Sequence, residues 1–276
     1  MDTFFETKDS VVTGFKLKVI ADIPDGVVRI GSSAFEGCTA LTQINIPNSV
    51  VSIGTRAFAY CSSITGIDIP DSVTDIGGEV VKGCRSLTSI RLPNSVTDIG
   101  EGAFRDCEKL TSITIPDSVV NIRNSAFSGC TSLESINVPD SVRHIGRCAF
   151  ARCTNLTSAK LTAGITSIEW GAFLGCSSLA HILLGTNITS IGAWAFDGCS
   201  SLAQIIIPDS VTSIERCAFS GCTALTHIDI PASVTSIEDD AFFRCLSLKR
   251  IRVPKHFDAH DAAQWGLPDT CEIIWY

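Results

Sequence analysis

The sequence predicts a solenoid, an elongated stack of structural repeats around one continuous core. The first observation behind this prediction is a unit that recurs every 23 residues, of which residues 202–222 are one copy. The second is a hydrophobic content of 45%, which is ample for a continuous core. The third is a cysteine at the same position of ten successive copies, with no insertion or deletion between them: Cys38, Cys61, Cys84, Cys107, Cys130, Cys153, Cys176, Cys199, Cys222 and Cys245.

The overall composition excludes several classes of function. A net charge of −8 and a pI near 5.1 disfavour nucleic acid and anionic membranes as partners. No apolar run reaches the length of about 18 residues that a membrane-spanning helix needs, so we expect no membrane insertion. Residues 1–8 lack the basic and apolar segments of a secretory signal, which predicts a cytoplasmic protein if the chain as written is complete.

The cysteines predict buried thiols rather than a disulfide framework. Their total of 13 is odd, and ten of them share one repeat position. Side chains stacked in such a column point in parallel, which is poor geometry for a disulfide bond. Unpaired cysteine behaves as a small buried hydrophobe. No C-x-x-C pair is present, so we expect no metal site built on cysteine.

Each repeat begins with a short strand that ends at a proline. Residues 41–46 alternate between inward and outward positions, and Pro47 follows them. Thr162 and Gly185 replace this proline in two adjacent copies, which predicts a looser corner there. A column of hydroxyl groups follows the proline, and we expect it to supply acceptors for backbone N–H groups of the adjacent turn: Ser49, Ser72, Ser95, Ser118, Ser141, Ser210 and Ser233, with Asn187 in one copy.

The second half of each repeat has the form A-F-x-G-C, which suits one helical turn. Its phenylalanines are expected to stack as a spine that only Val81 interrupts: Phe35, Phe58, Phe104, Phe127, Phe150, Phe173, Phe196, Phe219 and Phe242. The glycine before each cysteine is replaced in four copies by Tyr60, Asp106, Arg152 or Arg244. This variety predicts that the position has no strict requirement for a positive φ angle.

The two ends depart from the repeat and are expected to cap it. We divide the chain into an N-terminal cap at 1–23, ten repeats at 24–254 and a C-terminal cap at 255–276. In the first cap, residues 10–15 followed by Leu17, Val19 and Ile23 predict a strand pair. In the last cap, residues 255–266 predict a short amphipathic helix and residues 271–276 a final strand.

The chain resembles the leucine-rich repeat superfamily, because residues 225–230 match its strand motif L-x-x-L-x-L. The proline after the strand and the A-F-x-x-C segment are similar to its 23-residue BspA-like class, also called the Treponema pallidum type. The resemblance implies a leucine-rich repeat solenoid, shaped as a right-handed arc or horseshoe with a parallel β-sheet on its concave face. It also implies a secreted or cell-surface adhesin that binds host matrix or other cells.

The polar residues of the chain do not predict catalysis. No serine or cysteine nucleophile motif accompanies the five histidines, and no glycine-rich phosphate loop follows a strand. We therefore expect no enzyme and no cofactor. His256 and His260 have the i,i+4 spacing of metal ligands on a helix, but a polar face on a capping helix is the simpler explanation, and we predict no metal site.

Outward columns of threonine and serine, such as Thr65, Thr88, Thr111 and Thr157, resemble the hydroxyl arrays of ice-binding solenoids. These columns are broken by Glu134, Lys249, His144 and Asp98. Threonine and serine also suit exposed β positions generally, which is the simpler explanation. Ice binding therefore remains a minor alternative.

The concave columns suggest a partner-binding site in the second half of the array. Two neighbouring exposed aliphatic residues, Leu183 and Ile206, interrupt an otherwise polar surface. Around them we expect His181, Gln204, His227, Asp229, Arg250 and Arg252. A secondary candidate is formed by Trp170 and Trp194, which occupy consecutive copies on the loop side.

These observations favour a non-enzymatic repeat module that binds a protein or glycoprotein. A passive structural spacer, which would hold an attached domain away from a surface, is the alternative from another class. Repeat drift without any partner would explain both candidate surfaces equally well. The identity of the partner and the oligomeric state are not predicted by the sequence.

Overall fold

The computed structural model describes residues 5–8, 10–15 and 19–276, and shows a solenoid of about 11 turns built from parallel strands. The predicted fold class is therefore confirmed. Successive turns are joined in a 23-residue register, as in the pairing of Ser135 with Ser158 and of Ser158 with His181. The regular period in the sequence thus becomes a regular stack in space.

One column of short strands forms the concave sheet, and its three-residue strands bury the central residue and leave the residues on either side exposed or partly exposed. This alternation follows from the period of two in a strand. The strands are β3 Ile20–Asp22, β5 Gln43–Asn45, β7 Gly66–Asp68, β9 Ser89–Arg91, β12 Ser135–Asn137, β14 Ser158–Lys160, β16 His181–Leu183, β19 His227–Asp229, β21 Arg250–Val253 and β22 Glu272–Trp275.

A second column consists of two-residue strands, in which an isoleucine points into the core. These strands are β4 Arg29–Ile30, β6 Ser52–Ile53, β8 Asp75–Ile76, β10 Asp98–Ile99, β11 Asn121–Ile122, β13 His144–Ile145, β15 Ser167–Ile168, β17 Ser190–Ile191, β18 Ser213–Ile214 and β20 Ser236–Ile237.

The concave sheet is not continuous along the array. In the described chain, no strand is assigned to residues 112–114 or to residues 204–206, although both occupy concave positions. The strand ladder β12–β14–β16 therefore ends before Gln204, and a new ladder begins at β19. Ile206 lies in this interruption.

The N-terminal segment forms an antiparallel pair, β1 Phe5–Lys8 with β2 Val11–Phe15. A strand at 10–15 was predicted, but its antiparallel partner precedes it in the chain rather than following it. Leu17 lies outside the described residues. β3 pairs with β5 in the repeat register, so the first concave strand falls within residues 1–23.

The C-terminal segment covers the last turn with one helical turn and one strand. Helix α1 spans Ala259–Ala262 and begins at a capping box formed by Asp258 and Asp261. Trp265, which follows this helix, is fully buried and contacts the ring of Phe257 edge-on at 5.4 Å. β22 then adds to β21 as a parallel strand, which extends the sheet by one turn.

The predicted phenylalanine spine is present. Neighbouring rings are stacked with centroid separations between 5.1 Å for Phe104 and Phe127 and 5.7 Å for Phe219 and Phe242. Val81 occupies the interrupting position and is fully buried. In the turns other than that of Val81, ring stacking makes each repeat depend on its neighbours.

The cysteine column lies beside this spine. Cys38 is partly buried, and the nine later members are fully buried. Each of these nine thiols donates to a backbone carbonyl of the preceding turn, for example Cys61 to Phe35 at 3.0 Å and Cys245 to Phe219 at 3.1 Å. Burial raises the pKa of the Cys84, Cys176 and Cys245 thiols to about 12. The column is therefore structural.

The A-F-x-G-C segment is a run of tight turns to which no helix is assigned. Here the expectation for the glycine position was wrong, because Tyr60, Asp106, Arg152 and Arg244 all have φ angles between 58° and 60°. The backbone N–H groups of Tyr60, Asp106 and Arg152 donate to the next repeat, as in Tyr60 to Lys82 at 2.6 Å. This hydrogen bond fixes the left-handed conformation, so non-glycine residues bear a cost of roughly 1–2 kcal/mol each.

The hydroxyl column also differs from expectation. Five of the serine side chains donate to carbonyls of the preceding turn instead of accepting from N–H groups, as in Ser72 to Val50 and Ser118 to Val96, at 2.7 Å in both cases. Exposed threonines do the same, as in Thr88 to Thr65 at 2.9 Å. The buried hydroxyls of Ser49 and Ser233 have no hydrogen-bond partner among the described residues. The prolines and the turn geometry leave carbonyl groups, rather than N–H groups, in need of partners.

The corner at Thr162 and Gly185 is tight rather than loose. Gly185 is buried, and a Cβ atom on it would clash with the carbonyl oxygen of Thr162. Thr162 is itself 7% exposed, and its hydroxyl donates to the carbonyl of Pro139 at 3.3 Å. Glycine is required here for close backbone approach, which replaces the turn that proline sets in other repeats.

Candidate functional site

The candidate site is centred on two aliphatic side chains of the concave sheet. Leu183 is 63% exposed and Ile206 is 84% exposed. Each follows a buried isoleucine, Ile182 or Ile205, so the alternation of the strand directs it away from the core. Their exposure therefore stabilises nothing within the fold.

A groove of about 460 Å³ brings four of the predicted residues together. Its walls include His181 and Leu183 from β16, and Gln204 and Ile206 from the next turn. Lys160 lies opposite Leu183 in the strand register and lines the same groove. Small polar residues close its N-terminal side: Ser135, Asn137 and Ser158.

A second groove of about 300 Å³ lies on the C-terminal side of Ile206. It brings together three more of the predicted residues, His227, Asp229 and Arg252. Gln204 and Ile206 line both grooves. The exception is Arg250, which is exposed on β21 but lines neither groove. The predicted residues thus surround Ile206 on both sides, with Arg250 at the margin.

Sequence reasoning missed Tyr276, which lines the second groove. Its hydroxyl donates to the carbonyl of Ile230 at 2.7 Å, and the Arg252 guanidinium lies 4.4 Å from the centre of its ring. The only indication of this position in the sequence was the predicted final strand. If β22 pairs with β21, the residue after β22 must lie next to the last repeat.

The same two turns depart from the repeat at a further position. Most copies have a threonine before the strand, whose hydroxyl donates to the preceding turn, as in Thr157 to Glu134 at 3.0 Å. Ala180 and Ala203 occupy this position beside Leu183 and Ile206. The two turns that carry the exposed aliphatic residues therefore lack this threonine hydroxyl.

The N-terminal part of the concave face has a different character. A groove of about 780 Å³ there is lined by Asp68, Asp71 and Arg91, among others. Arg91 forms ion pairs with both carboxylates, at 3.3 Å to Asp68 and 2.6 Å to Asp71. The charged residues of this groove are therefore paired with one another.

The secondary candidate lies apart from both grooves. Trp170 and Trp194 meet edge-on with ring centroids 5.6 Å apart, and Trp170 is 40% exposed. Trp194 is only partly exposed and has a φ angle of 53°. Much of the pair's apolar surface is therefore already covered by the other ring.

Metal ligation is not supported at the two C-terminal histidines. His256 precedes α1, and its Nε2 lies 2.8 Å from the carbonyl oxygen of Val234. Across the described residues, no cluster of histidine, cysteine, aspartate and glutamate could hold a metal ion. Nor does any helix of those residues have the length and apolar character to cross a membrane.

Comparison with protein-family models gives one match. The family described as "BspA type Leucine rich repeat region (6 copies)" matches residues 14–107, 79–203 and 189–263. Together these ranges cover most of the chain, including every residue of both grooves except Tyr276. A search of curated proteins returned no match.

Solved structures of bacterial leucine-rich repeat proteins are similar along nearly the whole chain. A protein from Bacteroides ovatus is 26% identical, with a TM-score of 0.50 and coverage of 99% of this chain and 98% of that one. A leucine-rich cell surface protein from Faecalibacterium prausnitzii is also 26% identical, with a TM-score of 0.54 and coverage of 100% and 95%.

A third solved structure carries the name of the class that the sequence resembles. The leucine-rich repeat protein of T. pallidum is 28% identical and has a TM-score of 0.52. The similarity covers 72% of this chain and 88% of that one. The family match, the register of the strands and these structures agree with one another. The chain belongs to the BspA-type leucine-rich repeat family.

Proposed function

We propose that this chain is a non-enzymatic binding module that holds a protein or glycoprotein partner on its concave face. Leucine-rich repeats generally mediate protein interaction, which supports the class of function. The single observation that carries the location is the exposure of Leu183 and Ile206 in one groove. We call these two residues and their polar neighbours the concave patch.

The energetic argument rests on the two aliphatic side chains. Fully burying an exposed leucine or isoleucine contributes about 1.5–3 kcal/mol, so covering the exposed parts of Leu183 and Ile206 would contribute about 2–4 kcal/mol to binding. Their polar neighbours, such as His181, Gln204 and His227, then form the rim that surrounds an apolar centre in protein interfaces. The other exposed aliphatic residues of the described concave face are Val19 and Ile20, at 57% and 48%, which are neighbours along the chain and do not lie in adjacent turns.

The finer proposal is adhesion at a cell surface. The Faecalibacterium prausnitzii structure is described as that of a cell surface protein, and it is similar to this chain over its whole length. A rigid solenoid with one recognition patch suits such a role, because it presents the patch at a fixed distance from an attachment point.

A selection experiment tests the proposed site. Libraries of random peptides displayed on phage would be selected in parallel against the wild-type chain, the double variant Leu183→Ser/Ile206→Thr and the control Leu246→Ser. Leu246 is 73% exposed and lies outside the concave sheet, so it matches the patch in exposure but not in position. Peptide families shared by wild type and control, and absent with the double variant, are expected.

Two outcomes would contradict the proposal. Peptide families recovered equally with all three proteins would place binding away from the concave patch. No enrichment with any of them, from libraries that enrich on a known peptide-binding protein, would favour a passive spacer.

A further inference from the structure

The positive charges at the C-terminal end of the concave sheet form no ion pair with any described carboxylate. Within the described residues, every ion pair lies between Glu36 and Arg123. Lys249, Arg250 and Arg252 are exposed, and no hydrogen bond or ion pair involves their charged groups in this part of the chain. These cations contrast with Arg91, which two carboxylates neutralise at the other end of the sheet.

Arg252 is also held in a defined position. Its guanidinium lies 4.4 Å from the centre of the Tyr276 ring, and Tyr276 is anchored by its hydrogen bond to Ile230. Asp229 lies opposite Arg252 in the strand register, yet the two do not form an ion pair. A guanidinium that stacks on an aromatic ring keeps its N–H edge available for a carboxylate.

The distance between the concave patch and Arg252 suits an extended chain. Neighbouring turns are about 4.8 Å apart, so the midpoint of Leu183 and Ile206 lies about 12 Å from the strand that carries Arg252. An extended peptide advances about 3.3 Å per residue, and its side chains alternate between faces. Residues i and i+4, about 13 Å apart on one face, span this distance.

Resting on the proposed function, we propose that the two grooves take an extended acidic segment of a protein partner. The segment runs across the strands. An apolar side chain covers Leu183 and Ile206, and a carboxylate four residues away binds the guanidinium of Arg252, with Arg250 adding to the local positive charge.

A polypeptide fits these features better than a sulfated polysaccharide. A polysaccharide supplies anions for Arg250 and Arg252 but has no aliphatic side chain to cover Leu183 and Ile206. The apolar centre lies directly beside the second groove, since Ile206 lines both. One extended chain can therefore meet the apolar and the basic features together.

The experiment uses the peptides enriched on the wild-type chain. Their consensus is expected to contain an apolar residue with aspartate or glutamate four positions away. The consensus peptide would be synthesised and its affinity measured for wild type and for Arg250→Gln/Arg252→Gln. The control is Arg216→Gln/Arg244→Gln, which removes the same charge from exposed arginines outside the concave sheet.

The variant of Arg250 and Arg252 is expected to bind the peptide about tenfold more weakly or worse, and the control within twofold of wild type. Arg252→Lys is expected to fall between them, because it keeps the charge and loses the planar fork. Equal affinity of wild type and Arg250→Gln/Arg252→Gln would overturn the inference.

Affinity for Leu183→Ser/Ile206→Thr separates this inference from the proposed function. Peptides that need Leu183 and Ile206 but not the arginines would leave the proposed function in place and overturn the acidic segment. Peptides that need neither the aliphatic pair nor the arginines would overturn both the proposed function and the acidic segment. A different result would assign the arginines to a sulfated glycan and overturn the inference. In that result no acidic peptide is enriched, and heparin binds the wild-type chain but not Arg250→Gln/Arg252→Gln.

Discussion

Replacing Phe127 with alanine tests how the solenoid is held together. Phe127 is fully buried, and its ring stacks on Phe104 at 5.1 Å and on Phe150 at 5.3 Å. Truncating a buried phenylalanine to alanine costs about 3–5 kcal/mol, through lost apolar burial and the cavity that remains. Because this site has a ring on both sides and no space into which it can collapse, we expect a cost near the upper end.

Phe104→Ala provides an internal comparison. Phe104 is 1% exposed, but its N-terminal neighbour in the spine is Val81, so it stacks on one ring instead of two. An aromatic pair contributes about 0.5–1.5 kcal/mol beyond its buried area. Phe127→Ala should therefore destabilise the chain by about 0.5–1.5 kcal/mol more than Phe104→Ala does.

Urea denaturation followed by circular dichroism measures both changes, and hydrogen exchange with mass spectrometry locates them. Exchange should rise most in the turns next to residue 127, since each repeat contacts only its neighbours. Equal destabilisation by the two variants would show that ring stacking adds nothing to burial. Uniform exchange along the whole array would show that the chain unfolds as one unit.

Three further predictions concern the corner, the left-handed positions and the thiols. Gly185→Ala should destabilise the chain by about 1–3 kcal/mol because its Cβ meets the Thr162 carbonyl. Gly66→Ala, whose Cβ has its nearest contact with the Ser89 hydroxyl at 3.3 Å, should change the urea midpoint little, and equal effects of the two variants would contradict the tight corner. Arg152→Gly should stabilise the chain by about 0.5–1 kcal/mol by relieving a φ angle of 60°, and a lower urea midpoint than wild type would refute this. Thiol titration should find few reactive groups in the native chain and 13 after denaturation. Burial raises the pKa of Cys84, Cys176 and Cys245 to about 12, whereas thiols of the unfolded chain ionise near pH 8.5. The free energy of unfolding should therefore fall as the pH rises above about 8.5, by about 1–2 kcal/mol per thiol at pH 10. A smaller fall in Cys176→Ala should confirm that the thiols are the cause.

The sequence predicted features that repeat and depend on side-chain type. The phenylalanine spine, its interruption at Val81 and the buried cysteine column all follow from apolar residues that recur in one register. The exposure of Leu183 and Ile206 follows from the same register, because strand alternation alone places them outward.

Features that depend on backbone hydrogen bonds were not predicted correctly. Arg152 and Tyr60 suggested a permissive position, but the N–H bond to the next repeat imposes a positive φ on any residue there. Ser72 was assigned as an acceptor, although the adjacent turn presents a carbonyl and not an N–H. Tyr276 escaped notice because its contact with Ile230 spans 46 residues and depends on how the last strand docks.

Photo-crosslinking tests the location of the partner most directly. The consensus peptide, carrying a benzophenone in place of its apolar residue, would be irradiated with the wild-type chain, and the attachment sites located by tandem mass spectrometry. We predict attachment within residues 181–183 and 204–207. Attachment at Trp170 and Trp194, or scattered over the surface of the solenoid, would contradict the assignment of the concave patch as the recognition site.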